Sequence, residues 1–592
     1  MAHQEPNIEM VQKLMFRLLP VQVLLCMVSL VNALVSSFFA SNFVGIAAMS
    51  AVGLFGPLNM LVTSLSTVLV GGSAIICGRY LGENRQEKLQ GVFTLTIAVS
   101  LLIALLFIAV FVLMGAFDLT GAITRDPDVR PLLNSYLLGQ AIGVLPLMLG
   151  NSLASFLSLE NRAQRSLIAS VGFIVANLVL NVLFVQLLRL EAFGLSLASS
   201  LGMWVFLSVQ AEYFLSCKSR FRLALGAVEW RETLDIVRIG LPGAAGNLYQ
   251  TARGLIVNNL LNAFVGSVGI SAFAAANNLL GVIWAIPGGM LAVSRMIISV
   301  SVGEEDRQTL TDVMRVMFWR FIPLMCVFVA SIVILAVPLT SIFYQDPSEP
   351  VFMMTVLGFR ILPFCMPLSI INMHFTCYGQ ASGKTGLVHL LALLDGVVCV
   401  AGFTALLIPF LGIKSVYVAN VLNGVVTTVV IVGYSCLRNR HMPRTMEELM
   451  VIPEGFGASE DERIDVSIKS IDDVVEVSDR VEEFCRSRGI SKRSSYMAAL
   501  AMEEMAGNVV DHGFTKDRRK HSVDARVVHK DGDVIMRIKD DCVPFDPSER
   551  LSIVEPDDPL KNVGIRMVFK VAKDVQYQSI LGLNVLTIRI DG

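Results

Sequence analysis

The chain has 592 residues, 54% hydrophobic and only 16% charged, with net charge -2 and mean hydropathy +0.65. A soluble globular protein carries about a quarter charged residues, so one soluble domain is excluded, and no region is basic enough to argue for nucleic acid. The charge is unevenly spread: the 140 residues from Pro453 onward hold 48 charged positions at net -6, and the first 452 residues hold the other 48 at net +4. Two segments of different class therefore meet near Pro453.

The opening stretch MAHQEPNIEMVQKLMFRL lacks a basic n-region and a small-residue cleavage site, so the first apolar segment is expected to be retained as a span. Apolar runs follow at 18–40, 46–76, 91–114, 132–157, 166–188, 194–217, 240–264, 268–299, 316–342, 351–378, 386–408 and 414–437. Each is long enough to cross a hydrocarbon core of about 30 Å as a helix. One set of loops carries eighteen Lys and Arg, and the alternate set only Arg125, Arg130, Arg189 and Lys414. That bias places both termini in the cytoplasm. Ten cysteines are scattered, seven inside apolar runs, with no Cys-x-x-Cys and no His/Cys cluster at metal-ligand spacing. They read as buried small hydrophobes.

The halves repeat. GENRQEKL at 82–89 returns as GEEDRQTL at 303–310, and nearly the same offset relates Pro20 to Pro242, Gly45 to Gly269, Asp126 to Asp346 and Arg165 to Lys384. An offset spanning an even number of helices keeps both copies in one orientation, with a pathway expected between them. The entry proline, VGIAAMSA at 44–51 with VGISAFAA at 268–275, and the turns YLGENR, SLENRAQRS and YGQASGKTG together resemble the multidrug and toxic compound extrusion (MATE) family over residues 15–437. The resemblance implies a cation-coupled antiporter, driven by H+ or Na+, that exports organic cations across a bacterial inner membrane. Where that family often has an acid in the first span this chain has Ser36, and its Asn-x3-Asp of the fifth span reads here as Asn177 and Asn181.

Only two acids fall within the apolar runs. Glu212 lies close to a basic loop and reads as interfacial. Asp395 lies about nine residues into the eleventh run, roughly 13 Å deep by helical rise. A charge at that depth costs at least about 2 kcal/mol and faces a cavity or a partner. Arg253 and Arg360 are the deep cations, while Arg295 and Arg320 are close enough to helix ends to snorkel. Asp395 is thus either half of a structural Asp–Arg pair or a carboxylate that binds a proton or sodium ion. The repeat register sets it opposite position 176, beside Asn177, where the halves would share a cavity. His374 and His389 read as satisfied polar residues.

After Pro453 the periodicity changes. Residues 463–469 and 521–540 alternate as strands, helices are expected near 471–488 and 491–513, and 574–591 reads as a hairpin around Gly582. The helix segment EEMAGNVVDHG sets Glu504, Asn508 and His512 on one face, where a carboxylate can orient a hydroxyl and an amide can reach Mg2+. With KDDCVPFDP at 539–547, NVGIRMV at 562–568 and LGLNVLTIRI, it resembles the GHKL ATP-binding fold, nearest to bacterial anti-sigma-factor serine kinases. The resemblance implies Glu504 as base, Asn508 as the Mg2+ ligand of Mg-ATP, Asp540 as acceptor of the adenine amino group, and Gly564 at the phosphates. Two departures stand out: Cys542 replaces the glycine of Asp-x-Gly, and Asn562 one glycine of Gly-x-Gly.

The expected architecture is an all-α polytopic membrane protein of twelve helices in two six-helix repeats, plus a C-terminal α/β GHKL-like sandwich. The expected division is 1–225, 226–440, a linker at 441–461, and a cytoplasmic domain at 462–592. The expected partners are organic cations, the lipid bilayer and a cytoplasmic regulatory protein, with weak ATP-dependent serine-kinase activity a possible property of the tail. A membrane-tethered signalling kinase and a lipid-linked saccharide flippase are the alternatives.

Overall fold

The computed structural model describes all residues except 1–7, 40–42, 45, 125, 217–218, 345, 459–461, 515–520, 522, 531 and 550–562. Long helices fill the first 440 positions: α1 (Ile8–Phe39), α2 (Ile46–Gly82), α3 (Gln86–Ala116), α4 (Val129–Leu159), α5 (Ala163–Leu187), α6 (Glu191–Leu215) and α7 (Glu232–Phe264), then α8 (Ser267–Gly303), α9 (Arg307–Ile334), α10 (Pro350–Ala381), α11 (Thr385–Leu411) and α12 (Lys414–Asn439). Eleven are long and apolar enough to cross a membrane. The exception is α7, 33 residues long, which carries Glu232, Asp235, Arg238 and Arg253. The expected count of twelve spans is therefore not reached on length and apolarity alone. Helix ends also run past the apolar runs, since a hydropathy window finds only the apolar stretch of a longer rod.

Prolines lie inside several of these helices. Pro20 and Pro242, related by the repeat, lie inside α1 and α7, and Pro363 sits in a tight turn, Leu362–Phe364, within α10. The repeat also appears in the backbone. Left-handed residues occupy the turns after α2 and α8, at Asn84 (φ 55°) and Glu305 (φ 52°), and those after α4 and α10, at Asn161 (φ 58°) and Gly383 (φ 76°). Such φ values are uncommon outside glycine, so matched pairs mark one turn design used twice.

The chain divides into two compact units. The larger comprises Met15–Glu304 and Met314–Val451. Within it α2 closes on α7 through bare backbone: a Cβ at Gly72 would stand 2.1 Å from the Ile236 carbonyl oxygen, and one at Gly240 2.0 Å from that of Val68. Small residues at helix crossings allow this approach in a membrane, where dispersion and not the hydrophobic effect drives association.

The other unit comprises Met1–Leu14, Glu305–Val313 and Ile452–Gly592. Its sheet, in order β1-β2-β3-β5-β4, is antiparallel throughout: β1 (Arg463–Ile468), β2 (Val523–Lys530), β3 (Asp533–Asp540), β4 (Asp574–Ile580) and β5 (Leu583–Asp591). The single strand region expected at 521–540 is thus two strands, turning at Gly532 (φ 81°). The β4–β5 turn uses Leu581 (φ 54°) and Gly582 (φ 80°), the positive-φ pair that suits two-residue hairpins.

Alternation sorts the strands into two faces. Ile464, Ile468, Val527, Met536, Ile538 and Ile588 form the core with helices α14 (Ile471–Ser487), α15 (Lys492–Gly513) and α16 (Val563–Val571); α13 (Met446–Met450) is a short turn before this unit. α14 starts on a reciprocal capping box between Ser470 and Asp473. The opposite sheet face is ionic, and residues 305–313 lie on it. Asp306, 4% exposed, pairs with Arg526 and with Lys539 Nζ (3.1 Å), and accepts from the Thr309 N–H (2.9 Å) and hydroxyl (2.8 Å). Burial alone would raise this carboxyl, but Arg526 and Lys539 hold it well below the usual carboxylate range.

Candidate functional site

Polar groups inside the helical unit gather at two places. The first joins α5 and α6. Asn177 and Asn181 are both buried, and the Asn181 amide donates to the Asn177 carbonyl oxygen and Oδ1, each at 2.8 Å. Ser199 donates to the same Oδ1 at 3.4 Å, and among the described residues Asn181 Oδ1 is a buried acceptor with no hydrogen bond. The i, i+4 spacing puts both amides on one helix face, and a π turn at Val182–Leu187 follows directly. The Ser36 side chain lies outside the described residues.

The second place joins α11, α12 and α7. Asp395 occupies a π turn, Leu394–Val398, a distortion that often accompanies functional positions. Its Oδ1 accepts from Asn423 Nδ2 at 2.7 Å. Arg253 does reach Asp395, but its Nη1 donates to the backbone carbonyl at 3.3 Å and not to the carboxylate. Among the described residues no cation stands within ion-pair reach of that carboxylate. Gly396 lets α7 approach here: a Cβ on it would lie 2.4 Å from the Cβ of Tyr249.

Arg360 lies in α10. It is exposed, in a groove of about 530 Å³ lined by Ile361, Phe364, Val418, Val421 and Leu422. Arg295 is half-buried, with its Nε buried. Glu212 is exposed and faces Arg165 at 3.7 Å. His374 is satisfied on both ring nitrogens, by the Ile370 carbonyl (2.8 Å) and the Ser294 hydroxyl (2.7 Å). The apolar runs missed Glu232, because its helix begins two turns before the run at 240; it is buried and accepts from the Tyr80 hydroxyl at 2.7 Å.

In the tail, a cleft of about 600 Å³ opens between α15 and the sheet, lined by Asn508, His512, Asp540, Cys542, Phe545 and Tyr577 among others. β3 delivers Asp540 to its floor, where Oδ1 accepts from Asn584 Nδ2 (2.7 Å) and the Cys542 N–H (2.9 Å). Tyr577 donates to Asn584 Oδ1 at 3.0 Å and orients that amide. Burial raises the Asp540 carboxyl, and these donors pull it partly back. Glu504 and Gly564 also meet: a Cβ on Gly564 would stand 1.8 Å from Glu504 Oε2, so a side chain there would have to displace that carboxylate. Asn508 donates to the Glu504 carbonyl at 2.7 Å. The structure thus brings Asn508 and Asp540 to one cleft and sets Gly564 on Glu504. Asn562 lies outside the described residues. The cysteines are less uniform than expected: Cys77, Cys365, Cys377, Cys399 and Cys485 are buried, whereas Cys326 is exposed and Cys26, Cys436 and Cys542 are half-buried.

Comparison with known proteins places both units. The MatE family model matches residues 20–183 and 242–427, and a histidine kinase-like ATPase domain model matches residues 469–590. The protein named "Probable multidrug resistance protein NorM" of Bacillus subtilis (strain 168) is 27% identical over 255 residues, 41% of this chain and 54% of that protein. The chain therefore spans about half the length of the curated relatives it matches. A crystal structure of MATE in complex with MaL6 aligns with TM-score 0.66 at 20% identity, covering 74% of this chain and 97% of that one. A transporter of the MOP superfamily from Pyrococcus furiosus Vc1 (DSM3638) aligns with TM-score 0.65 at 21% identity, covering 75% and 99%. These likenesses fix the fold of the helical unit. With the MatE model matched on both halves, over more than half of its residues, this membrane protein belongs to the MatE family and carries a histidine kinase-like ATPase domain behind its last helix.

Proposed function

We propose that this chain is a cation-coupled antiporter that exports organic cations, with both termini in the cytoplasm of a bacterial cell and a tail that regulates transport. The observation that carries the reading is Asp395, a carboxylate in mid-helix whose hydrogen-bond partner is the neutral amide of Asn423. A carboxylate held only by an amide keeps its charge available, so a proton, a sodium ion or a cationic substrate can exchange on it. Arg253 donates to the backbone carbonyl of the same residue and makes no ion pair with its side chain among the described residues. Asn177 and Asn181 supply the matching polar spot of the first half, with oxygens suited to a cation and no charge of their own. Arg360, exposed in its own groove, has no part in binding at Asp395. The resemblance of part of the chain to a protein named for multidrug resistance supports an organic substrate.

For the tail, the residues fit the adenine end of a nucleotide: Asp540 on the cleft floor as acceptor, Asn508 as Mg2+ ligand, and Gly564 as the close backbone approach at the phosphates. Bound Mg-ATP would supply a transferable phosphoryl group; Glu504 would orient the hydroxyl of a partner protein. Nucleotide sensing is the better reading than kinase turnover, because Cys542 and Asn562 replace two glycines that the fold uses around the nucleotide. The test is efflux of a fluorescent organic cation from proteoliposomes under imposed proton or sodium gradients, with the full chain and with residues 453–592 removed. Transport driven by one gradient and altered by removal of the tail is expected; transport indifferent to both gradients would overturn the coupling.

A further inference from the structure

We propose that His521, Asp541 and Cys542 form a binding site for a zinc-class divalent cation at the rim of the tail's cleft. The spacing along the chain conceals it, because His521 stands twenty positions before Asp541. Antiparallel pairing of β2 with β3 sets Val523 opposite Asp540, so the residues just before β2 and just after β3 converge. His521 Nδ1 lies 3.1 Å from Asp541 Oδ1, and one donor atom from each of the three residues lies within 4.8 Å of the others. Ligands bound at about 2.0–2.3 Å to a tetrahedral ion stand roughly 3–4 Å apart, so side-chain rotations of about an ångström complete the set. An imidazole, a carboxylate and a thiolate suit zinc, whereas magnesium and calcium take oxygen donors.

The surroundings are built in the same sense. The ring of Phe514 stacks on His521 at 5.9 Å between centroids and 25° between planes, which fixes the plane of the imidazole. The Cys542 N–H is held by Asp540, so the thiol rides on the end of a strand. A Cβ on Gly513 would come 2.9 Å from Cys542 Sγ, so the end of α15 closes over the thiol only because a glycine is there. All three residues are half-buried, and Cys542 lines the open cleft, which gives the ion a route in. On binding, Cys542 gives up its thiol proton to solvent and no electron moves. The site employs Asp541 and Cys542 and abuts the nucleotide cleft, since the Cys542 N–H donates to Asp540 and Cys542 lines the same cleft. It also assigns a role to the cysteine that stands where the ATP-binding fold has glycine.

The experiment is titration of the purified full-length protein in detergent, free of affinity tags, with Co2+ as spectroscopic probe followed by displacement with Zn2+. The expected result is a thiolate-to-cobalt charge-transfer band that saturates at about one equivalent per chain and disappears on adding zinc. The band should vanish in Cys542→Ser and in Cys542→Ala, and His521→Ala should weaken cobalt affinity by about tenfold or more. Cys485→Ala, in the same domain, should leave it intact. The serine variant keeps the side-chain volume, so its native elution and melting temperature separate loss of a ligand from misfolding. No band in the wild type at excess cobalt, or a band that survives both Cys542 variants, would overturn the site.

Discussion

Asp306, buried at the foot of α9, and Asp395, half-buried in the middle of α11, are carboxylates held in opposite ways. Asp306 is saturated: Arg526, Lys539 and two donors of Thr309 surround it, and its neutralising charges belong to the fold. Asp395 has one amide donor, and the guanidinium beside it is spent on a backbone carbonyl. Fixed cations make a buried carboxylate structural. A neutral partner leaves its charge to be answered by something mobile, at a solvation cost the protein must bear. Asp306 is buried and Asp395 half-buried; the identity of the partners decides what each can do.

The largest expected effect tests the mobile member. Asp395→Asn keeps an oxygen at the place where Asn423 donates, so folding and membrane insertion should survive while gradient-driven efflux is abolished. Flux in proteoliposomes, beside the melting temperature of the same preparation, checks both halves of the statement. Wild-type flux in this variant would make Asp395 as structural as Asp306. The reciprocal change is Asp306→Asn, which takes the paired charge from Lys539 and leaves Arg526 to Asp465 at 3.5 Å. It should destabilise the unit containing the tail by about 3–5 kcal/mol, read by denaturant unfolding of the full chain with a probe in that unit.

Acid should separate the two as well. The Asp306 carboxyl lies below its ordinary value in the folded protein, so it favours the fold at any pH above the unfolded carboxylate range. That contribution is lost as pH falls through the folded value. The wild-type tail should therefore lose stability on acidification, and Asp306→Asn should flatten that limb of the profile. An unchanged acid limb in the variant would mean that other carboxylates carry it.

How far these sites could be read beforehand differs for the same physical reason. The mid-helix place of Asp395 was legible, because a charge in an apolar run announces itself. Its partner was not, since Asn423 is an uncharged residue 28 positions on in another helix, whereas Arg253 and Arg360 drew attention by charge alone. Asp306 was legible only as punctuation in a repeated turn: Arg526 and Lys539 are more than 200 residues away, and only the register of β2 with β3 puts them on one face. The two-unit architecture followed from composition, and the strands from alternation. The start of α7 at Glu232 did not, because a buried acid paired to Tyr80 looks like a loop to any hydropathy window.

The smallest expected effect concerns Asp540, which lies between the two extremes: fixed by Asn584 and the Cys542 N–H, yet placed on the floor of an open cleft. If it accepts from adenine, Asp540→Asn replaces a charged acceptor by a neutral amide and should weaken Mg-ATP binding by about 1.5–3 kcal/mol, a charged hydrogen bond's worth. Burial raises the Asp540 carboxyl, more than Asn584 and the Cys542 N–H lower it. The acid is therefore protonated at a higher pH than an exposed aspartate. Nucleotide affinity should then fall on acidification earlier than an ordinary carboxylate predicts, and the variant should lose that dependence. Calorimetric titration of the full-length protein with Mg-ATP across this range measures both quantities. Equal affinity in wild type and variant would assign Asp540 to the class of Asp306, a carboxylate committed to its own fold.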